Sequence, residues 1–305
     1  METRQTLGPF DRALVVKHKD RAAVRFEQAR FLKDRAIEDI CDRLAFINRR
    51  FDYALDIGSH GGLLEKGVRA RPDVAEKIGY LCQCDASIGM AVKARGDVFV
   101  ADEENLPLGK TSLDLVVSAL TFHWVNDLPG LLAQARMALR PDGLLLVSFL
   151  GGRTLQELRA VMAQVETEAR HAPSARVSPF ADAQDGAQLL QRAGFALPVA
   201  DSDVVTVRYN NVFALFRDLK AMGETAAFSA PRSPPLTRTS IAAIADKYAH
   251  DHADPDGRIR ATFEIVTLTG WAPHVSQQKP LRPGSARTRL ADALGVTEMP
   301  TGEKP

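Results

Sequence analysis

Three acids stand at comparable places in this chain, each closing or ending a short apolar run: Asp56 in Tyr53-Ala-Leu-Asp-Ile, Asp85 after Ile78–Cys84, and Asp102 after Asp97–Ala101. A glycine-bearing turn, Gly58-Ser-His-Gly-Gly, follows the first acid and leads into Leu63-Leu64. Glycines let a backbone approach a ligand closely, and the N–H groups of the helix that follows face it. Carboxylates beside such a turn suit a nucleoside cofactor. Asp85 could accept from two ribose hydroxyls, Asp102 from an adenine amine, and Asp56 could hold the turn and an amino-acid part of the ligand. The neighbouring Ala86 and Glu103 are grouped with them as cofactor contacts. Acids also cap helices and turns after strands. One acid alone would be read that way; three in register beside a glycine turn point to a cofactor.

The turn is neither a dinucleotide fingerprint nor a P-loop. The first needs Gly-x-Gly-x-x-Gly, and His60 and Leu63 stand at its second and third glycine positions; the second needs Gly-Lys-Ser/Thr. Gly58, His60 and Gly62 are counted with the cofactor residues, although for His60 a helix cap is preferred over lining the pocket. After the fourth apolar run, Thr121-Phe-His-Trp-Val-Asn-Asp places His123 and Trp124 at the mouth of the site as candidate catalytic residues. Imidazole titrates near neutrality, so His123 could position a substrate or take a proton. Trp124 could wall an adenine or cover a cation. A hydrogen-bonded histidine and a packing tryptophan explain the same pattern equally well.

No metal site is expected. The cluster His250-Asp-His-Ala-Asp-Pro-Asp sits in a Pro/Gly-containing stretch and reads as a solvated turn. Cys82 and Cys84 alternate on a strand, point to opposite faces and read as core residues.

The elements that must position these residues follow from periodicity. Residues 1–48 read as a charged helical extension whose early basic residues form a solvated face. From Asp52 the chain turns to βα units: strands over 53–57, 78–84, 97–101, 113–120 and 144–149, with helices near 63–71 and 128–139. Arg140-Pro-Asp-Gly reads as a stop-and-turn signal. Alternating strands and helices imply a doubly wound, mostly parallel sheet, because parallel crossovers need an intervening helix. Further helices are expected at about 155–169 and 187–193, and strands at 204–209 and 262–268. A domain over 49–285 carries a helical insertion at about 211–258, long enough for a lid or partner-binding element. A polar tail covers 286–305.

The 305 residues, 45% hydrophobic and 25% charged with a net charge of +1, describe a globular chain without bulk attraction to nucleic acid. Three cysteines without paired spacings fit a reducing compartment. No apolar run approaches a membrane span, and the N-terminus lacks the apolar core of a signal peptide. A cytoplasmic location is expected, with peripheral attachment to the inner face of a membrane left open.

Leu55-Asp-Ile-Gly, Ala101-Asp-Glu-Glu-Asn-Leu-Pro, Asp114-Leu-Val-Val-Ser, His123-Trp-Val-Asn-Asp-Leu-Pro and Arg140-Pro-Asp-Gly occur in many methyltransferases. Phe10-Asp-Arg, Gly151-Gly-x-Thr-Leu-x-Glu-Leu, Ser178-Pro-Phe, Arg192-Ala-Gly-Phe and Gly270-Trp are more specific. Together, over nearly the whole chain, they resemble the methyltransferase-like family of the mitochondrial complex I assembly factor. A relative of that family is the malonyl-acyl-carrier-protein methyltransferase of biotin synthesis. The resemblance implies a class I methyltransferase fold with a seven-stranded sheet. It also implies S-adenosyl-L-methionine bound through Gly58, Gly62, Asp85 and Asp102, and a link to assembly of the NADH–quinone oxidoreductase. In the mitochondrial member the activity is arginine hydroxylation on a quinone-site subunit, so fold does not fix reaction. Four readings are weighed: a methyltransferase acting on a complex I subunit, which is preferred; an arginine hydroxylase; a malonyl-acyl-carrier-protein O-methyltransferase; and a non-catalytic, cofactor-binding assembly chaperone.

Overall fold

The computed structural model describes residues 8–170, 174–229, 234–278, 285 and 288–297. Residues 1–273 form one compact unit and 274–305 a second, small one. In chain order, the first unit runs α1 (Arg12–Ala22), α2 (Phe31–Phe46), β1 (Phe51–Ile57), α3 (Leu63–Arg69), α4 (Pro72–Ala75), β2 (Ile78–Asp85), α5 (Ile88–Ala91) and β3 (Val98–Val100). It continues with β4 (Leu113–Ala119), α6 (Leu128–Ala138), β5 (Leu139–Leu150), α7 (Gln156–Arg170), α8 (Ala183–Arg192), β6 (Ala196–Tyr209), α9 (Val212–Met222), α10 (Arg238–His252) and β7 (Ile259–Trp271). The second unit contains α11 (Leu290–Leu294). Of the expected polar tail, residues 286, 287 and 298–305 lie outside the described residues.

The sheet has seven strands in the order β3-β2-β1-β4-β5-β7-β6, with β7 alone antiparallel to its two neighbours. Order reverses between β1 and β4, the crevice where ligands bind in open α/β sheets. The central strands are continuous apolar runs because helices cover both faces. Successive side chains alternate between the two layers. Ala54, Leu115, Val117, Leu144 and Leu146 pack with α2, α3, α7, α9 and α10. Leu55, Ile57, Val116, Leu145 and Val147 pack with α6 and α8.

Several boundaries differ from expectation for local reasons. Arg140-Pro-Asp-Gly does not stop the chain between helix and strand; it lies inside β5 as an irregularity where the β4 register shifts between Leu113 and Leu115. Asp142 takes φ 64°, and the backbone is held by Asp142 N–H to Ala272 O (3.0 Å) and Ala272 N–H to Gly143 O (2.8 Å). Strand β6 begins at Ala196 rather than 204. Its first half carries Pro198 and the polar run Asp201-Ser-Asp, which breaks the strand pattern, yet the β7 ladder pairs it as far as Ala196–Trp271. Gly270 is needed within β7 because a Cβ there would meet the Phe195 ring at 3.0–3.1 Å.

The insertion consists of α9 and α10 among the described residues. The N-terminal helices are not a solvated appendage. Phe10 bridges Phe228 and Asp11 N–H donates to Ala227 O (2.9 Å), both just after α9. Phe10 N–H also donates to Asn126 Oδ1 (2.9 Å), and Asp11 caps α1 through Leu14 N–H (3.0 Å). The Phe10-Asp-Arg sequence is thus the clasp that ties the N-terminus to the insertion over the carboxyl ends of the strands.

Candidate functional site

The β1 turn is fixed by its glycines. Gly58 and Gly62 take φ 74° and 73°, and a Cβ on Gly58 would lie 2.0 Å from Thr121 Oγ1. Gly58 and Ser59 N–H groups both donate to Cys84 O (2.9 and 3.0 Å), docking the turn against β2. Asp85 answers from the end of β2: its carboxylate accepts His60 N–H (3.0 Å) and Ser87 N–H (2.9 Å). Half-buried Ala86 stands between them.

His60 is buried at φ 45°, and it does not cap α3, whose N-cap is Gly62 with no side-chain bond. Its ring stacks on Phe26 and lines the turn, so the preference for a cap is corrected. Burial, Lys33 and Lys19 hold the imidazole well below its ordinary pKa. It is therefore neutral, and its Nδ1 lies 2.8 Å from Lys33 Nζ and 2.7 Å from Gly58 O. Lys33 Nζ also donates to Gly58 O (3.0 Å) and to Ala119 O at the end of β4. Asp56 is fully buried behind this group with neither carboxylate oxygen hydrogen-bonded. Burial raises its carboxyl pKa, with Lys33 opposing; burial also lowers that of Lys33.

The third acid is covered by α1. Arg12 donates to Asp102 Oδ1 (2.8 Å), to Glu103 and to Trp124 O (2.9 Å). Lys19 donates to Glu103 Oε1 (3.2 Å). Asp102 remains 48% exposed while Glu103 is fully buried. Burial by itself would raise the Glu103 carboxyl, but Lys19 and Arg12 outweigh it and hold it at about 2. The basic residues expected on a solvated face, Arg12 and Lys19, are therefore buried counter-charges. Uncompensated acids at the sheet edge demanded partners, and helix spacing put both cations on one side of α1.

Asp56, Gly58, His60, Gly62, Asp85, Ala86, Asp102 and Glu103 thus gather around the ends of β1, β2 and β3. His123 and Trp124 turn elsewhere. Leu150 N–H donates to His123 Nδ1 (3.4 Å), which leaves the ring proton on Nε2, 3.0 Å from Glu224 Oε2. The Trp124 indole N–H donates to the same oxygen (2.9 Å), and its ring meets Phe10 edge-on rather than facing a nucleoside. Glu224 follows α9 and lies at one side of a cavity of about 260 Å³. Leu155, Leu158, Met162, Phe180, Phe216 and Phe263 give it apolar walls. Trp124, shortly after β4, and Leu150, at the end of β5, also line it, so the cavity opens at the carboxyl edge of the sheet.

Lys33 and Glu224 escaped the reading of the sequence because each lies in an element that reads as ordinary helix or loop. A lysine at a position of α2 whose neighbours Leu32, Ala36 and Ile37 are buried was the available signal. Elsewhere, Asp254 and Asp256 from the His250 cluster pair with Arg208, Arg258 and Arg260. Among the described residues no three His, Cys, Asp or Glu side chains converge as a metal set, and all three cysteines are free thiols. No helix among the described residues is long and apolar enough to cross a membrane.

The cradle suits a nucleoside carrying an amino acid. Asp85 and Asp102 present acceptors at two strand ends, the glycine turn keeps its floor free of side chains, and two backbone carbonyls already hold a primary ammonium.

Residues 27–198 match a family described as a methyltransferase domain. Over 98% of this chain and 88% of their own length, the arginine-hydroxylase NDUFAF5 proteins of rat and human mitochondria are 37% identical to it. The malonyl-[acyl-carrier protein] O-methyltransferase of Laribacter hongkongensis is 32% identical over 90% of this chain and 94% of its own. Among solved structures, YcgJ from Bacillus subtilis aligns at TM-score 0.55 over 79% of this chain and 99% of its own, at 12% identity, which speaks to fold alone. The expectation of a cytoplasmic protein is overturned by the relatives at 37% identity, which are named as mitochondrial. The match across the methyltransferase domain, the similarity over nearly the full chain and the seven-stranded sheet agree: the chain belongs to the class I S-adenosylmethionine-dependent methyltransferase family, in the branch of the complex I assembly factor 5-like proteins.

Proposed function

We propose that this protein is an S-adenosylmethionine-dependent enzyme that modifies a side chain of a respiratory complex I subunit during assembly, and that the cavity beside Glu224 receives that side chain. One observation carries the reading. A carboxylate is fixed by His123 and Trp124 at the side of a largely apolar cavity at the carboxyl ends of β4 and β5. Arg176, paired with Glu166, and Lys220 also line the cavity, and its apolar walls with the one oriented acid suit a long side chain ending in a cationic N–H donor, such as arginine. The names of the relatives at 37% identity support arginine as the residue class.

The bound cofactor would supply an electrophilic methyl group on its sulfonium sulfur. Such transfer needs alignment and exclusion of water more than a strong base. Asp85 and Asp102 would hold the ribose and adenine, and Asp56 with the carbonyls of Gly58 and Ala119 the amino-acid end. Phe180 and Trp124 would keep water from the acceptor. His123 and Trp124 act as positioning residues; Glu224 would orient the guanidinium and accept the proton it loses.

The competing reading, oxygen insertion into an arginine, rests on the names of those same relatives. Both are tested by intact-mass and peptide mass spectrometry of complex I subunits from a deletion strain, complemented with wild type or with Glu224→Gln. A gain of one CH2 on an arginine, lost on deletion and reduced with Glu224→Gln, supports methyl transfer. A gain of one oxygen atom identifies hydroxylation instead. Unchanged subunit masses with assembly restored by either protein would sink both and leave a chaperone.

A further inference from the structure

The ammonium of Lys33 lies where strands β1 and β4 part. It donates to two backbone carbonyls, Gly58 O from the cofactor turn and Ala119 O from the end of β4, and lies 2.8 Å from His60 Nδ1, which is itself 2.7 Å from Gly58 O. Two of the three hydrogens of a primary ammonium are thus held by main-chain oxygens. The Asp56 carboxylate lies buried in the same region without a hydrogen bond. Taking an ammonium out of water costs several kcal/mol before any compensation. The neighbours of Lys33 on α2, Leu32, Ala36 and Ile37, are buried apolar residues. The acceptors are backbone groups at the switch in strand order, where this fold takes its ligand. S-adenosylmethionine carries one primary ammonium of its own, with the same charge, shape and donor count.

We propose that Lys33 is an internal stand-in for the cofactor: its ammonium occupies the subsite for the amino-acid ammonium, so the protein closes its own cradle until ligand displaces the side chain. The inference goes beyond the reaction proposed above, since it concerns only what the cofactor must displace. It rests on the family's cofactor and on this chain's own residues. The nucleoside end is shielded separately, by Arg12 and Lys19 on α1. Lys33 therefore acts on one end of the ligand alone.

That selectivity gives the test. Calorimetry on the full chain compares S-adenosylhomocysteine, which has the amino-acid arm, with 5′-methylthioadenosine, which lacks it, for wild type and Lys33→Met. If the lysine-occupied state dominates, the apparent affinity of wild type is reduced by the fraction open. Lys33→Met should then tighten S-adenosylhomocysteine by about tenfold or more and leave methylthioadenosine within about twofold. Equal changes for both ligands, or weaker S-adenosylhomocysteine binding, would overturn the proposal. A second measurement covers a variant that does not fold. Reductive methylation of wild type, read by mass spectrometry, should label Lys33 faster with S-adenosylhomocysteine bound than without, and no faster with methylthioadenosine. Undiminished protection of Lys33 in the S-adenosylhomocysteine complex would reject it.

Discussion

Glu103 shows how much a single buried charge depends on its partners. It is fully buried and held by Lys19 and Arg12, themselves almost entirely buried. Removing one member of such a set leaves the others uncompensated, at a typical cost of about 3–5 kcal/mol. Glu103→Gln is expected to lose that much in urea unfolding at pH 7, while Asp73→Asn, on an exposed pair with Arg71, is expected to leave the unfolding midpoint nearly unchanged. The same group predicts an acid limb. Although burial opposes it, Lys19 and Arg12 bring its pKa from 4.5 to about 2. A carboxyl depressed in the folded state stabilises fully above its unfolded pKa and loses that contribution as pH falls through the folded one. Stability should therefore drop between pH 4.5 and about 2, and the Glu103→Gln profile should be flatter across that window. Parallel profiles would show that the pair is not what α1 contributes. At the glycine turn, Gly58→Ala forces a left-handed backbone on alanine and drives its Cβ against Thr121. The strain alone is of order 1–3 kcal/mol, and loss of cofactor binding in calorimetry should accompany the lower stability.

At the scale of elements, α1 and the segment after α9 form one cover. Their backbone bonds join residues more than two hundred positions apart in the chain. Asp11 both caps α1 and, through its own N–H, ties it to Ala227. Asp11→Ala keeps the backbone bond and removes the cap, a change worth about 1 kcal/mol. Hydrogen exchange should then quicken throughout α1 and leave β4 and β5 untouched, since local opening follows local stability. Exchange that quickened equally in the central strands would mean the cover does not open as a unit. The βα units of the sheet were legible in the sequence because β1, β2, β3 and β5 are short apolar runs closed by an acid or glycine and β4 is a continuous apolar run. The start of β6 was not, since Pro198 and Asp201-Ser-Asp interrupt the pattern and it is the pairing with β7 that holds this stretch in the sheet.

For the whole molecule, the cofactor is the measurable link between fold and function. S-adenosylhomocysteine at about 100 times its Kd should raise the unfolding free energy by about 2.7 kcal/mol through mass action. Asp85→Ala should lose most of that gain at the same ligand concentration, and an undiminished gain would remove Asp85 from the site. Local pattern was enough to determine the alternation of strand and helix, the acids at the ends of β1 and β2, and the turn at Gly58. Those are properties of neighbouring residues, and a strand end keeps its meaning wherever the chain goes. Only the tertiary structure decided the rest. Lys33 and Arg12 look like ordinary charges on amphipathic helices until α2 and α1 fold across the sheet and their ammonium and guanidinium meet Gly58, Ala119 and Glu103. His123 looks like a candidate catalytic residue at the mouth of the cofactor site until Glu224, 101 positions away, comes within 3.0 Å of its Nε2. A charge or a hydrogen bond is a relation between two groups in space, and a sequence shows only one of them at a time.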